Sequence, residues 1–300
     1  MRYLCFDIGG TFVKYGIFNE NGKFLVKDKY PTNLETPDNF FTRMASIANQ
    51  YHKLTAIGIS FPGFINIETG VAIRAGALGK LDGKNIIAEL QTRLSDSVPI
   101  IIENDANCAA LAEKFIGNAQ DVDNFAVITL GTGVGGGIVI NNTVLHGSHF
   151  RAGEFGMMIT DYSRSGYATL HDLAATSSLL KQVAQIKNVD IQTLTGEQIM
   201  SAYDEDQQIQ LAVNKWAEFV AIAIFNLVAT NDLERILIGG GISQNQKLLP
   251  IIKKALEKNP FWNDYRTDIN TCRYFNDSGL LGALYIAQKA IERDGNNNVL

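Results

Sequence analysis

The chain has 300 residues, 46% of them hydrophobic and 19% charged, with 27 glycines and 6 prolines. That composition excludes a disordered chain, and the length predicts two domains with enough material for a core in each. The formal net charge of −5, with no run of Lys or Arg, gives no argument for a general nucleic-acid or anionic-membrane surface.

Strand-like and helix-like segments alternate from end to end. Residues 2–8 read as a buried strand, Gly9-Gly10-Thr11 as a turn and residues 13–18 as a second strand. Asn21-Gly22 joins that strand to a third over 23–30, a hairpin signal. The chain thus opens on adjacent antiparallel strands, not on the strand–helix unit of a Rossmann domain. Pro37-Asp38 opens a helix to about residue 52; a strand follows over 56–60, a helix over 86–94 and a short strand over 100–103. Next come a helix over 104–115, a strand over 125–130, a glycine-rich loop over 131–137 and a returning strand to residue 140. Asn141-Asn142 is a hairpin turn. Long helices are predicted over 169–187 and 209–231, then a strand over 235–238 ending in Gly239-Gly240-Gly241. A terminal helix over 279–291 precedes a polar tail at 294–298.

The two glycine turns at 9–10 and 131–137 each lie between adjacent strands, a weak internal repeat. It predicts an α/β fold of two similar domains facing one another across a cleft. The first would hold residues 1–116 with the last helix, about 280–292, and the second residues 117–279. Cys5, Cys108 and Cys272 are too few and too widely spaced for a disulfide framework, and no Cys-rich metal cluster occurs. No signal-like segment precedes the first strand, and the most apolar stretch, 219–229, is about half a membrane span and contains Asn226. A cytoplasmic protein is expected.

Five positions concentrate the chemistry. Asp7, ending a buried strand, needs a bonding partner or a cation. Gly9 and Gly10 let backbone N–H groups approach a phosphate, with Thr11 and Lys14 adding a hydroxyl and a charge. A plain hairpin with a capping Asp explains the same residues. Gly131, Thr132, Gly133 and Gly135 belong to a second such loop. Its Gly-x-Gly-x-x-Gly spacing lacks the Rossmann context, because Ile138-Val139-Ile140 continues as a strand, and no P-loop is present. Gly239, Gly240 and Gly241 form a third glycine turn, which alone would be only a sharp connection. Three in one chain point to a nucleotide.

Glu103-Asn104-Asp105-Ala106-Asn107 sits where a strand meets a helix start. There Asp105 would stay ionised and accept a proton, and Asn104 could bond a polyol; an N-cap explains one of the two. Glu154, between glycines in Arg151-Ala152-Gly153-Glu154-Phe155-Gly156, could hold sugar hydroxyls or be an ordinary loop residue. His52, His146, His149 and His171 are too scattered for a metal site.

Taken in order, Asp7-Ile8-Gly9-Gly10-Thr11, Pro62-Gly63, Glu103 to Asn107, Leu130 to Gly137, Glu154-Phe155-Gly156 and Ile238 to Gly241 resemble the ROK family of bacterial sugar kinases and repressors. The resemblance implies two ribonuclease-H-like domains of the actin/hexokinase-like class closing over ATP and sugar. It implies that residues 7–11 and 131–137 form two phosphate loops and that 239–241 lie against the adenosine. Asp105 would be the general base, with Asn104, Glu154, Gly63 and Gly76 at the sugar. Mg²⁺ would bridge the ATP phosphates with Asp7 as its nearest carboxylate, through water. A homodimer is also implied.

Two departures bear on substrate. Met157 stands where many members carry His after Glu-x-Gly, and residues 163–171 hold none of the cysteines of the family's zinc motif, so no structural zinc is expected. His171 falls where the family's second sugar-binding Glu usually sits, near the anomeric end, although a helix-cap role is open. Zinc-less members with Arg-Ala-Gly-Glu-Phe-Gly and a segment like Ala75-Gly76-Ala77-Leu78 resemble β-glucoside kinases acting on the 6-hydroxyl. Ala174-Ala175-Thr176-Ser177 resembles N-acetylmannosamine kinases. The family's repressors carry a helix-turn-helix ahead of the first phosphate loop, for which six residues before Asp7 leave no room. A sugar sensor without activity is the remaining alternative class.

Overall fold

The computed structural model describes residues 1–163 and 166–297. Two residues of the cysteine-free 163–171 stretch, 164 and 165, and the last position of the predicted tail, 298, lie outside the described residues. Contacts divide the chain into two units. The first comprises Met1–Phe115, His146–Arg151 and the chain from Asp277 on; the second comprises Ile116–Leu145 and Ala152–Asn276.

The first unit opens with β1 (Arg2–Ile8), β2 (Phe12–Asn19), β3 (Phe24–Pro31) and helix α1 (Pro37–Ala48). Then come β4 (Ala56–Phe61), the small hairpin β5 (Phe64–Asn66) and β6 (Val71–Arg74), α2 (Ile86–Gln91), β7 (Ile100–Asn104) and α3 (Asp105–Ile116). The sheet order is β3-β2-β1-β4-β7, antiparallel through the first three strands and parallel from β1 to β7. β4 is buried at all six positions, as a strand covered on both faces must be. Thr36 caps α1 by accepting the Asn39 N–H, and Pro37 follows at the helix start. The helix stops at Ala48, short of residue 52, and Asn49 closes it: its backbone stays helical while its side chain donates to the Arg93 carbonyl and accepts from the Ser95 N–H.

The second unit holds β8 (Phe125–Leu130), β9 (Val134–Ile140), β10 (Thr143–Val144), α4 (Leu170–Ala174), α5 (Thr176–Lys187), α6 (Gly196–Ser201) and α7 (Gln207–Asn231). β11 (Arg235–Gly239), α8 (Leu248–Leu256) and β12 (Asp268–Thr271) complete it. Its order, β10-β9-β8-β11-β12, repeats the first sheet: an antiparallel trio continued by two parallel strands. The repeat hinted at by two glycine turns is therefore a repeat of whole sheets, and the α/β expectation holds. The turn at Asn141-Asn142 is left-handed at both residues, as a type I′ hairpin requires.

Three expectations need correction. The loop over 131–137 is shorter, since Gly135, Gly136 and Gly137 pair with Thr129, Ile128 and Val127 inside β9. At Gly136 a glycine is required, because the Phe155 ring and the Gly153 backbone lie directly against it. The helix over 169–187 is two helices broken at Ala175, which is extended at ψ 150°. Trp216 Nε1 donates to the Ala174 and Ala175 carbonyls at 2.9 and 3.2 Å, and the Thr176 N–H turns instead onto the Gly131 carbonyl. The apolar segment of 219–229 belongs to a longer helix: the 25-residue α7 is long and apolar enough to cross a membrane by length and composition. Its buried side chains from Ile209 to Val228, Trp216 among them, nevertheless belong to the core of the second unit.

After β12 the chain returns to the first unit as α9 (Ser278–Asn297), which packs on β1, β4 and β7. Gly58 on β4 and Gly282 on α9 permit this: a Cβ at either would collide with the carbonyl of Ala283 or Cys108. The β5–β6 hairpin, β10, β12, α6 and α8 were not predicted from the sequence, although Leu248, Ile251, Ile252 and Leu256 of α8 recur at helical spacing.

Candidate active site

In the first unit, register decides what surrounds Asp7. It pairs with Lys14 across β1–β2 and with Ser60 across β1–β4. Lys14 Nζ lies 3.1 Å from Asp7 Oδ2, and Ser60 Oγ donates to Oδ1 at 2.9 Å. The turn after β1 closes through the Gly9 N–H on the Phe12 carbonyl, and Thr32 braces it by donating to the Gly9 carbonyl at 2.7 Å. Gly10 and Thr11 are exposed at the tip. Gly279, at the start of α9, lies so close to the Asp7 carboxylate that a Cβ would overlap it.

The end of β7 forms a second cluster in the same unit. Asn104 Oδ1 accepts the Ala106 and Asn107 N–H groups at 2.9 and 3.0 Å, so Asn104 caps α3. Its Nδ2 donates to the Gly63 carbonyl at 2.8 Å, tying β7 to the turn after β4. Gly63 and Gly76 are left-handed at φ 82° and 56°, and a Cβ on Gly63 would crowd both Arg74 and Gly76. With capping assigned to Asn104, Asp105 is the exposed carboxylate of the first turn, its Oδ1 accepting the Ala106 N–H at 2.8 Å. The geometry therefore brings Gly63, Gly76, Asn104 and Asp105 together.

Two residues of this cluster were given no role in the site from sequence. Glu103 is buried, 4% exposed, and accepts from the Asn104 N–H at 2.8 Å and from Asn107 Nδ2 at 3.0 Å. His146 Nε2 lies 2.7 Å from Glu103 Oε2, and this carboxylate raises the imidazole above its ordinary pKa. Their separation of 43 residues left no local signal.

In the second unit, the turn from Gly131 to Gly133 links β8 to β9. The Gly131 N–H closes onto the Gly133 carbonyl, while the Gly131 carbonyl accepts from Thr176 at 2.9 Å and the Thr132 carbonyl from Ser177 Oγ at 2.7 Å. α5 thus fixes the turn from below. A pocket of about 670 Å³ opens there, lined by Gly131, Thr132, Ser177, Glu197, Gly241 and Asn245 among others. Of the third glycine group only Gly241 lines it; Gly239 ends β11, and Gly240, at φ 94°, backs onto the Leu130 carbonyl.

Glu154 is half-buried, and burial pushes its carboxyl up from the ordinary range. Gly153, left-handed at φ 87°, lays this segment against β9. The exposed His171 rests its ring on Gly133, where a Cβ would come within 2.7 Å, and its own Cβ faces Gly156. His171 thus stands at the second glycine turn as well as beside the Glu154 segment. Met157 is 66% exposed. Among the described residues no group of three or more His, Cys, Asp or Glu side chains could hold a metal ion.

Two ribonuclease-H-like units, each with a glycine turn between its first two strands, define an α/β protein of the actin- and hexokinase-like class. The chain belongs to the ROK family, whose model matches residues 3–290. It is 34% identical over 289 residues to a beta-glucoside kinase of Listeria innocua, covering 95% of this chain and 97% of that one. Among solved structures it is similar to Lmo2764 of Listeria monocytogenes, described as a candidate N-acetylmannosamine kinase. That match has a TM-score of 0.88 at 32% identity, covering 97% of this chain and 100% of the other. A ROK family protein from Streptococcus pneumoniae in complex with sucrose matches with TM-score 0.88 and 28% identity, covering 98% and 100%.

Proposed function

We propose that the protein is an ATP-dependent sugar kinase that phosphorylates the 6-hydroxyl of a β-glucoside or a glucose-type hexose. The observation that carries this is the division of labour at the β7–α3 junction. Asn104 takes the cap, leaving Asp105 as an exposed carboxylate at a helix N-terminus, where negative charge is favoured. Such a group stays ionised and accepts the proton of the attacking hydroxyl.

The remaining roles follow from the chemistry of each residue. Asn104 has one amide hydrogen beyond the bond to Gly63 with which to hold a sugar hydroxyl. Gly63 and Gly76 let backbone come close to the ring. Glu154, in its partly dehydrated position, accepts hydroxyls of the sugar. In the second unit the pocket beside Gly131, Thr132 and Gly241 has room for an adenosine. Gly9, Gly10 and Thr11 would serve phosphate oxygens, as would Thr132 and Gly133; Gly135, Gly239 and Gly240 shape the backbone behind them. Both Asp7 oxygens already have partners, so Asp7 fits Mg²⁺ through water rather than by direct ligation. When bound, Mg²⁺ neutralises and orients phosphate oxygens. The homodimer belongs to the same reading, carried by the family resemblance, and the cytoplasmic setting is carried by the sparse, widely spaced cysteines.

For the sugar, similarity to a beta-glucoside kinase and to a protein crystallised with sucrose favours a substrate with an aglycone or second ring. The exposed Met157 and the imidazole at His171 are compatible with such an extension. N-acetylmannosamine is the second reading, favoured by the likeness to Lmo2764. Purified protein with ATP and Mg²⁺ is tested against cellobiose, salicin, glucose and N-acetylmannosamine. A 6-phosphorylated β-glucoside is expected; no phosphorylated product from any sugar would leave only a sensor.

A further inference from the structure

We propose that His146 is a positioning residue for phosphoryl transfer: through Glu103 it fixes the β7–α3 junction on which Asp105 stands. The inference rests on the sugar-kinase reading and extends it to a residue outside the sugar and nucleotide groups.

Residues His146–Arg151 belong to the first unit, although the chain before and after them belongs to the second. This short segment is attached at two points. His146 Nε2 donates to Glu103 Oε2 at 2.7 Å, and the Arg151 guanidinium lies 5.6 Å from the centre of the Phe64 ring. Both attachments end on the junction: Glu103 precedes Asn104 in β7, and Phe64 follows Gly63, whose carbonyl Asn104 holds.

Glu103 transmits the constraint on both sides of Asp105. Its other oxygen, Oε1, accepts from the N–H of Asn104 just before Asp105 and from the side chain of Asn107 two residues after it. A carboxylate so buried needs its donors, and His146 is the one that comes from outside the junction. Asn107 spends its Nδ2 on Glu103, which ties the first turn of α3 to the same carboxylate. A general base must stand within hydrogen-bond reach of the proton it takes, and a misplacement of about 1 Å costs about 100-fold in rate.

Two variants of similar size separate positioning from packing. His146→Gln keeps a donor where Nε2 stands; His146→Asn puts its amide where Nδ1 stands and leaves Glu103 one donor short. With the sugar that the wild type phosphorylates, His146→Gln is expected to retain kcat within about threefold. His146→Asn should lose about tenfold or more in kcat, with KM for ATP within about twofold of wild type in both. Circular dichroism verifies that each is folded. Equal kcat in the two folded variants, whether both are active or both impaired, overturns the positioning role. A wild type that phosphorylates no sugar overturns the kinase reading instead, and this inference with it.

Discussion

Asn104 Nδ2 donates to the Gly63 carbonyl at 2.8 Å while Asn104 Oδ1 caps α3, so one side chain joins the turn after β4 to the start of a helix. Replacing it by Asp separates the two tasks, because a carboxylate still caps but cannot donate to Gly63. Asn104→Asp should unfold within about 1–2 kcal/mol of the wild type. Its KM for sugar should rise markedly more than its KM for ATP. Chemical denaturation and two-substrate kinetics test this; equal changes in both KM values would contradict the assignment.

Asp105 carries no capping load that Asn104 does not already meet. Asp105→Asn should therefore fold normally and still bind sugar, yet lose about 10²–10⁴ in kcat. Calorimetric titration with sugar alone, beside turnover with ATP, makes the comparison. Turnover within a few-fold of wild type would place the base elsewhere.

The absence of a side chain at Gly279 is a requirement of the Asp7 carboxylate against which α9 begins. Gly279→Ala would improve helix propensity but overpack this contact, so it should destabilise by about 1–3 kcal/mol. Since Asp7 stands just ahead of the first glycine turn, KM for ATP should rise as well. A variant as stable as the wild type, with unchanged KM, would show that the contact relaxes freely.

Burial raises the pKa of Glu154, and this sets a sign for stability. The folded state binds the proton more tightly than the unfolded state, so folding is favoured more below the ordinary carboxylate range and loses stability as pH rises from it through the folded-state value. At neutral pH the ionised carboxylate is a burden on the fold. Glu154→Gln should thus raise the melting temperature at pH 7, narrow that gain toward pH 4, and weaken sugar binding. Melting curves across this range, with a sugar titration, give all three; a variant less stable at pH 7 would contradict the desolvation argument.

Much of the fold was legible because its elements announce themselves locally. The 2–8 and 125–130 strands are short apolar runs bounded by glycine turns, and Asn21-Gly22 and Asn141-Asn142 mark hairpins by backbone chemistry alone. The break at Ala175 was not legible, because its cause, the indole of Trp216, lies 41 residues away. Likewise Gly135 to Gly137 look like loop until their pairing with β8 is seen and Phe155 is found lying against Gly136. At the site, Asn104 and Asp105 were equally good caps on paper, and only the hydrogen bonds assign the cap to Asn104. His146 had no local pattern at all; its meaning comes from one distant carboxylate.

The indole that splits α4 from α5 has a further use. Trp216 is 1% exposed and hydrogen-bonded to the two carbonyls just ahead of the helix that grips the Gly131 turn. Its ultraviolet emission, read beside that of Trp262, therefore reports on the surroundings of that joint from inside the protein. A nucleotide seated at Gly131 and Thr132 would alter that emission, giving the protein an intrinsic optical gauge of occupancy that needs no label and no turnover.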